Sequence, residues 1–138
     1  MADRVRKVKY CYVTAPVRAG SGARVLGALA DAGVNLQGFL GFPAGGGKAQ
    51  LDFVVQNAGA VRRAAAGHGW RVSAAKRAFL VQGADKPGAV HGHFRKLGAA
   101  GVSLTAAAAV SSGDGRYGML VWVKPRDYAR AVKALGAR

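Results

Sequence analysis

Gly33-Val34-Asn35-Leu36 returns 68 residues later as Gly101-Val102-Ser103-Leu104, and this pair of quartets decides the fold. The offset holds without a gap on either side. Gly20 falls on Gly88, Leu29 on Leu97, Gly45 and Gly47 on Gly113 and Gly115, Val55 on Val123, and Arg62 on Arg130. Solenoid units repeat at roughly 20–50 residues, so this longer period marks each copy as a small domain. The expected division is residues 1–76 and 77–138. Halves of this size are marginal alone, which favours packing against each other.

Each half carries the same order of signals. The apolar runs Lys9–Val13 and Ala78–Val81 read as first strands, and a glycine-containing loop follows. A helical face comes next, with Val25, Leu26 and Leu29 in one half and Val90, Phe94 and Leu97 in the other. Gly33 and Gly101 end these helices, as glycine does at a helix C-terminus. Residues 34–42 alternate apolar and polar as a strand does. Ala44-Gly45-Gly46-Gly47 and Ser112-Gly113-Asp114-Gly115 are hairpin turns into the return strands Lys48–Val55 and Arg116–Val123. A second helix follows at Ala58–Ala66 and at Arg126–Leu135, the latter behind Pro125. Trp70-Arg71-Val72-Ser73 reads as a fourth strand. The order β-α-β-β-α-β is the ferredoxin-like unit. The expected fold is α+β: two such units side by side, antiparallel sheets with helices on one face, the second unit lacking its last strand. Its first strand then offers an open edge, which a partner chain or the long N-terminal strand can fill.

Composition narrows the function. The chain has 21 Lys+Arg against 6 acids, a formal charge of +15, and no Glu. That balance suits a nucleic-acid or anionic-membrane partner, or is a drift toward Ala, Gly and Arg. The basic residues are scattered apart from Arg4-Val5-Arg6-Lys7-Val8-Lys9. The single cysteine, Cys11, excludes an internal disulfide and a multi-cysteine metal site, and reads as a buried thiol. No stretch is long enough to cross a membrane, and the expected location is cytoplasmic.

The chemistry sits between strand 1 and helix 1. In the second half this loop is Gly83-Ala84-Asp85-Lys86-Pro87-Gly88-Ala89-Val90. Gly88 opens the helix, and amides there hold a carboxylate with the help of the helix dipole, while Asp85 takes an ammonium. The pair suits a free amino acid; a tight turn with Asp at a helix start is the simpler alternative. The loop Asp85-Lys86-Pro87-Gly88 and the quartet Gly33-Val34-Asn35-Leu36 together resemble the motifs of the ACT domain, a small-molecule-binding regulatory module. The resemblance covers nearly the whole chain as a tandem pair. It implies an amino acid bound at the interface of two units, a sensor or regulatory role without catalysis, and a regulated protein partner.

The halves depart from the family pattern in complementary ways. The first keeps Asn35 but has Ala15-Pro16-Val17-Arg18-Ala19-Gly20 as its loop, without an acid. The second keeps Asp85 and Gly88 but has Ser103 in place of Asn. The expected composite site is Asp85, Lys86, the Gly88 and Ala89 amides, and Asn35 from the other half. The opposite set, Arg18, Gly20 and Ser103, is vestigial or prefers an anion.

Other residues carry weaker signals. His91 and His93 have no carboxylate or Cys at ligand spacing, and no metal or cofactor is expected. His68 reads as structural. On the return strand of the second half, Leu120 and Trp122 have the parity of the face opposite the helices, which suggests a covered surface and, with the open edge, a homodimer. The alternative function is an RNA-binding module on the same strand order, but Tyr117 and Trp122 fall on opposite faces and do not form a stacking pair. No nucleophile–base set, paired carboxylates or phosphate loop is present, so an enzyme is not expected.

Overall fold

The computed structural model describes residues 2–138. The chain divides into two compact units: one runs from Lys9 to Lys76, and the other from Arg77 to Arg138 together with the described residues up to Val8. The division therefore falls inside the first strand, β1 (Arg4–Pro16), which is much longer than its apolar centre foretold.

In the unit formed by residues 9–76, α1 (Ser21–Asp31) follows β1, then β2 (Gly38–Gly45), β3 (Lys48–Val55) and α2 (Ala58–Ala66). β3 pairs antiparallel with both β1 and β2. Cys11, Val13, Leu51, Phe53 and Val55 share the sheet face that receives Val25 and Leu29 of α1 and Val61 of α2. The strand parity of 51, 53 and 55 accounts for this face. Asn57 caps α2 by accepting the Ala60 amide.

The expected fourth strand at 70–73 is not one. Only Ser73 bonds to β1 through its main chain, donating its amide to the Tyr12 carbonyl at 2.9 Å, while the Tyr12 amide is received by the Ser73 hydroxyl at 2.9 Å. A side chain has taken the place of a ladder carbonyl, and the Ser73 carbonyl accepts from Arg62 instead. Side-chain hydroxyls compete with the ladder in this way.

The other unit contains β4 (Lys76–Ala84, of which Lys76 falls in the first unit), α3 (Ala89–Ala99), β5 (Leu104–Ser111), β6 (Arg116–Val123) and α4 (Tyr128–Leu135), the last entered through a 3-10 turn at Pro125–Asp127. β6 pairs antiparallel with β4 and β5. Phe79, Val81, Met119 and Val121 meet Leu97 of α3 and Leu135 of α4 in the core.

The leading residues of β1 occupy the edge left by the missing strand. Val5 is part of this core. The Arg138 amide donates to the Val5 carbonyl and the Lys7 amide to the Arg138 carbonyl, both at 3.1 Å. Arg6 donates to the Gln82 side chain at 3.0 Å. Leu120 and Trp122 are likewise buried within the chain, at 9% and 5% exposure. The edge that suggested a partner strand is thus occupied by the chain's own β1.

Phe94 is corrected too. It is 38% exposed, and His93 holds the inward position of α3 beside Leu97. The α3 stripe is therefore Val90, His93 and Leu97, with His93 and Leu97 in register with Val25 and Leu29 of α1.

Candidate functional site

The two strand-to-helix loops have the same main-chain construction. In the first repeat the Val17 amide donates to Gly47, Ser21 to Arg18, and Arg24 to Gly20. In the second, Asp85 donates to Gly115, Ala89 to Lys86, and Gly92 to Gly88. Gly20 and Gly88 sit at φ 89° and 80° as the helix N-caps, a conformation that favours glycine. Each loop is thereby tied to its own hairpin turn, and each helix begins at an open cleft.

One amide does not do what the sequence suggested. Ala89 N–H is spent on the Lys86 carbonyl at 3.1 Å, which leaves Gly88 and the remaining first-turn amides of α3 as the donors without a main-chain acceptor there.

The structure brings Asp85, Lys86, Gly88 and Ala89 together in a cleft of about 260 Å³, closed by His91 of α3, Val110 of β5 and Tyr117 of β6. Asp85, Lys86 and Gly88 are exposed, and among the described residues Asp85 has no ion-pair partner. Arg18 and Gly20 line a separate cleft of about 430 Å³ in the first repeat, with Arg24 and Trp70. Trp70 stacks on His68, ring centroids 4.3 Å apart. Asn35 lines a third cleft of about 360 Å³ with Gln56 and Asn57. Ser103 is exposed in the turn before β5.

Behind the second-repeat cleft lies a buried polar cluster that sequence reasoning missed. His93 Nε2 donates to Asp3 Oδ2 at 2.6 Å, and the Tyr117 hydroxyl donates to the same oxygen at 2.5 Å. His93 and Tyr117 are 7% and 5% exposed, and the Asp3 side chain 17%. A Cβ built on Gly83 would lie 1.9 Å from Asp3 Oδ1, so the carboxylate fills space that only glycine leaves open. Burial pushes the Asp3 carboxyl up, but the hydrogen bonds from Tyr117 and His93 and the charges of His93 and Lys86 outweigh it and hold it below its ordinary value. Burial and the Asp3 carboxylate both push Tyr117 up, so it stays a neutral donor. Hydrogen bonds to a charged group contribute about 1.5–3 kcal/mol each. Three signals pointed here: a glycine inside a strand at 83, a histidine where the first repeat has Val25, and a tyrosine where it has Ala49.

In the first repeat, Asp52 is 4% exposed, and burial raises its carboxyl, opposed by the hydrogen bond from Gln50 and the charge of Lys76. Cys11 is free and buried, which pushes its thiol up. Phe79, Tyr117 and Trp122 are all buried, leaving no aromatic platform for bases on β4 or β6. Among the described residues no group of three metal-ligating side chains is present, and no helix is long and apolar enough to cross a membrane.

The architecture is α+β with a βαββαβ-like pattern. No protein-family model matches the chain, and no curated protein matches it. Solved structures do. A protein from Bacteroides thetaiotaomicron superposes with a TM-score of 0.81 at 15% identity, over 96% of this chain and 88% of that one. The ligand-free regulatory subunit of aspartate kinase from Thermus thermophilus gives 0.66 at 16%, over 98% and 93%. Its counterpart from Thermus flavus gives 0.62 at 16%, over 98% and 94%. At these identities the likeness is one of fold. The neighbours from the two Thermus species are regulatory subunits.

Proposed function

We propose that this chain is a non-catalytic regulatory protein that binds an amino acid in the second-repeat cleft. The observation that carries the reading is a carboxylate without an ion-pair partner among the described residues, Asp85, beside the first-turn amides of α3, in a cleft with an apolar wall at Val90 and Val110. The carboxylate receives the ammonium group. Gly88 N–H and the first-turn amides receive the ligand carboxylate, aided by the helix dipole. The ligand side chain lies against Val90 and Val110. The likeness in fold to regulatory subunits of aspartate kinase supports a regulatory role, in which occupancy alters how the chain engages a protein partner.

A thermal-shift panel of the twenty amino acids tests this, with a short single-stranded RNA as contrast. A ligand that binds only the folded state raises the melting temperature with concentration. The reading predicts a shift with one class of amino acid that Asp85→Ala removes. Asn35→Ala tests whether the other repeat completes the site. No shift with any amino acid, together with a salt-sensitive shift with RNA, would replace this reading by the nucleic-acid one.

A further inference from the structure

We propose that the leading segment of β1 is a strap latched to the second unit by Asp3, and that Tyr117 couples this latch to the wall of the second-repeat cleft. As regulation of a ligand site the coupling rests on the amino-acid reading above; as mechanics it stands on geometry alone.

The strap is held at several points. Val5 sits in the core, Arg138 bonds to Val5 and Lys7, and Arg6 bonds to Gln82. Asp3 is its most deeply engaged polar group, with His93 of α3 and Tyr117 of β6 on one oxygen and Gly83 of β4 beneath the other. The fold itself has no need of this cluster. The first repeat builds the equivalent places from Ala15, Val25 and Ala49, all apolar. Burying a carboxylate there is expensive unless its partners stay in place.

Tyr117 serves two sites at once. Its hydroxyl is given to Asp3, and Tyr117 also lines the cleft with Asp85, Lys86 and Gly88. Its hydroxyl also lies 3.5 Å from the Ala89 carbonyl, in the first turn of α3. If Asp3 leaves, His93 Nε2 loses its acceptor and the Tyr117 hydroxyl keeps only the long bond to the Ala89 carbonyl, so both must shift to restore full hydrogen bonds. That movement falls on the cleft wall. By reciprocity, anything that stiffens the wall stiffens the strap.

Amide hydrogen exchange on the full chain tests the coupling without any ligand. Asp3→Asn keeps the shape and removes the charge. It should speed exchange at residues 5–8, at 89–92 and at 116–118 by about tenfold or more, the scale of one lost hydrogen bond to a charged group, and leave α1 unchanged. Tyr117→Phe keeps the His93–Asp3 contact and should loosen the same three segments. It decides the matter if Asp3→Asn fails to fold. Acceleration confined to residues 5–8, or none, overturns the proposal. In a second arm, an equimolar mixture of the twenty amino acids is the probe. Protection of both 85–91 and 5–8 in the wild type, with 5–8 unprotected in Asp3→Asn, supports the coupling. Protection of 85–91 alone in the wild type overturns it. Protection of neither overturns the amino-acid reading, while the ligand-free exchange still decides the latch.

Discussion

In the first repeat the Val17 amide donates to Gly47 and the Ser21 amide to Arg18; in the second the Asp85 amide donates to Gly115 and the Ala89 amide to Lys86. The glycines that follow have nearly the same φ. What surrounds these matched main chains differs. The first cleft holds Arg18, Arg24 and Trp70, with no acid among its lining residues. The second holds Asp85 and Lys86, with Tyr117 resting on a half-buried Asp3. The loops share their main-chain geometry, and a handful of side chains gives each copy its own electrostatics. A likeness in fold therefore carries over the existence of a cleft and not the identity of its ligand.

The largest expected effect that sharpens this contrast is on stability. Gly83→Ala places a methyl group on Asp3 and breaks the cluster, with an expected loss of about 1–3 kcal/mol, the range for overpacking a filled site. The matched change Ala15→Gly, in the first repeat, should cost only about 0.5–1 kcal/mol. Thermal melts of the two variants give the ratio; equal small losses would mean that Asp3 carries no weight.

Acid should then separate the repeats by sign. The Asp3 carboxyl is held below its ordinary value of 3.8, so its stabilisation is complete above 3.8 and is lost as pH falls through the lower folded value. Asp52 is raised above 3.8, so its contribution is present below 3.8 and lost as pH rises through the folded value. At neutral pH, Asp3→Asn should lower the melting temperature and Asp52→Asn should raise it. Both differences should shrink as pH falls below 3.8, that of Asp3→Asn only once pH passes its lower folded value. Melts of the three proteins against pH check this, and two differences of the same sign at neutral pH would contradict it.

The smallest effect concerns the first cleft. With two arginines at the start of α1, an anion is its fitting occupant. Inorganic phosphate should raise the melting temperature slightly, less so in Arg18→Ala, and the difference should fade with added salt. An equal response in the variant would leave that cleft without a ligand preference.

The fold was legible because it is written twice. Glycines at helix ends and hairpin turns recur at one offset, so each half checks the other. Residues 70–73 were misread because strand alternation does not reveal that the Ser73 hydroxyl replaces a ladder partner. Trp122 had the right parity, but a strand's own pattern does not say what covers its second face. The Asp3 cluster was invisible for a different reason. Its partners lie 90 and 114 residues away, and an aspartate ahead of a basic strand carries no local mark of burial. Only the odd residues at the far end, Gly83, His93 and Tyr117, departed from what the first repeat has at those places.

The most direct test of the account is a calorimetric titration of Asp85→Asn and Arg18→Gln with the amino acid that gives the largest thermal shift. The account predicts at least about a tenfold loss of affinity for Asp85→Asn, the loss of one charge-assisted contact, and an unchanged affinity for Arg18→Gln. Unchanged binding in Asp85→Asn, or loss only in Arg18→Gln, would place the ligand in the other repeat and contradict the assignment.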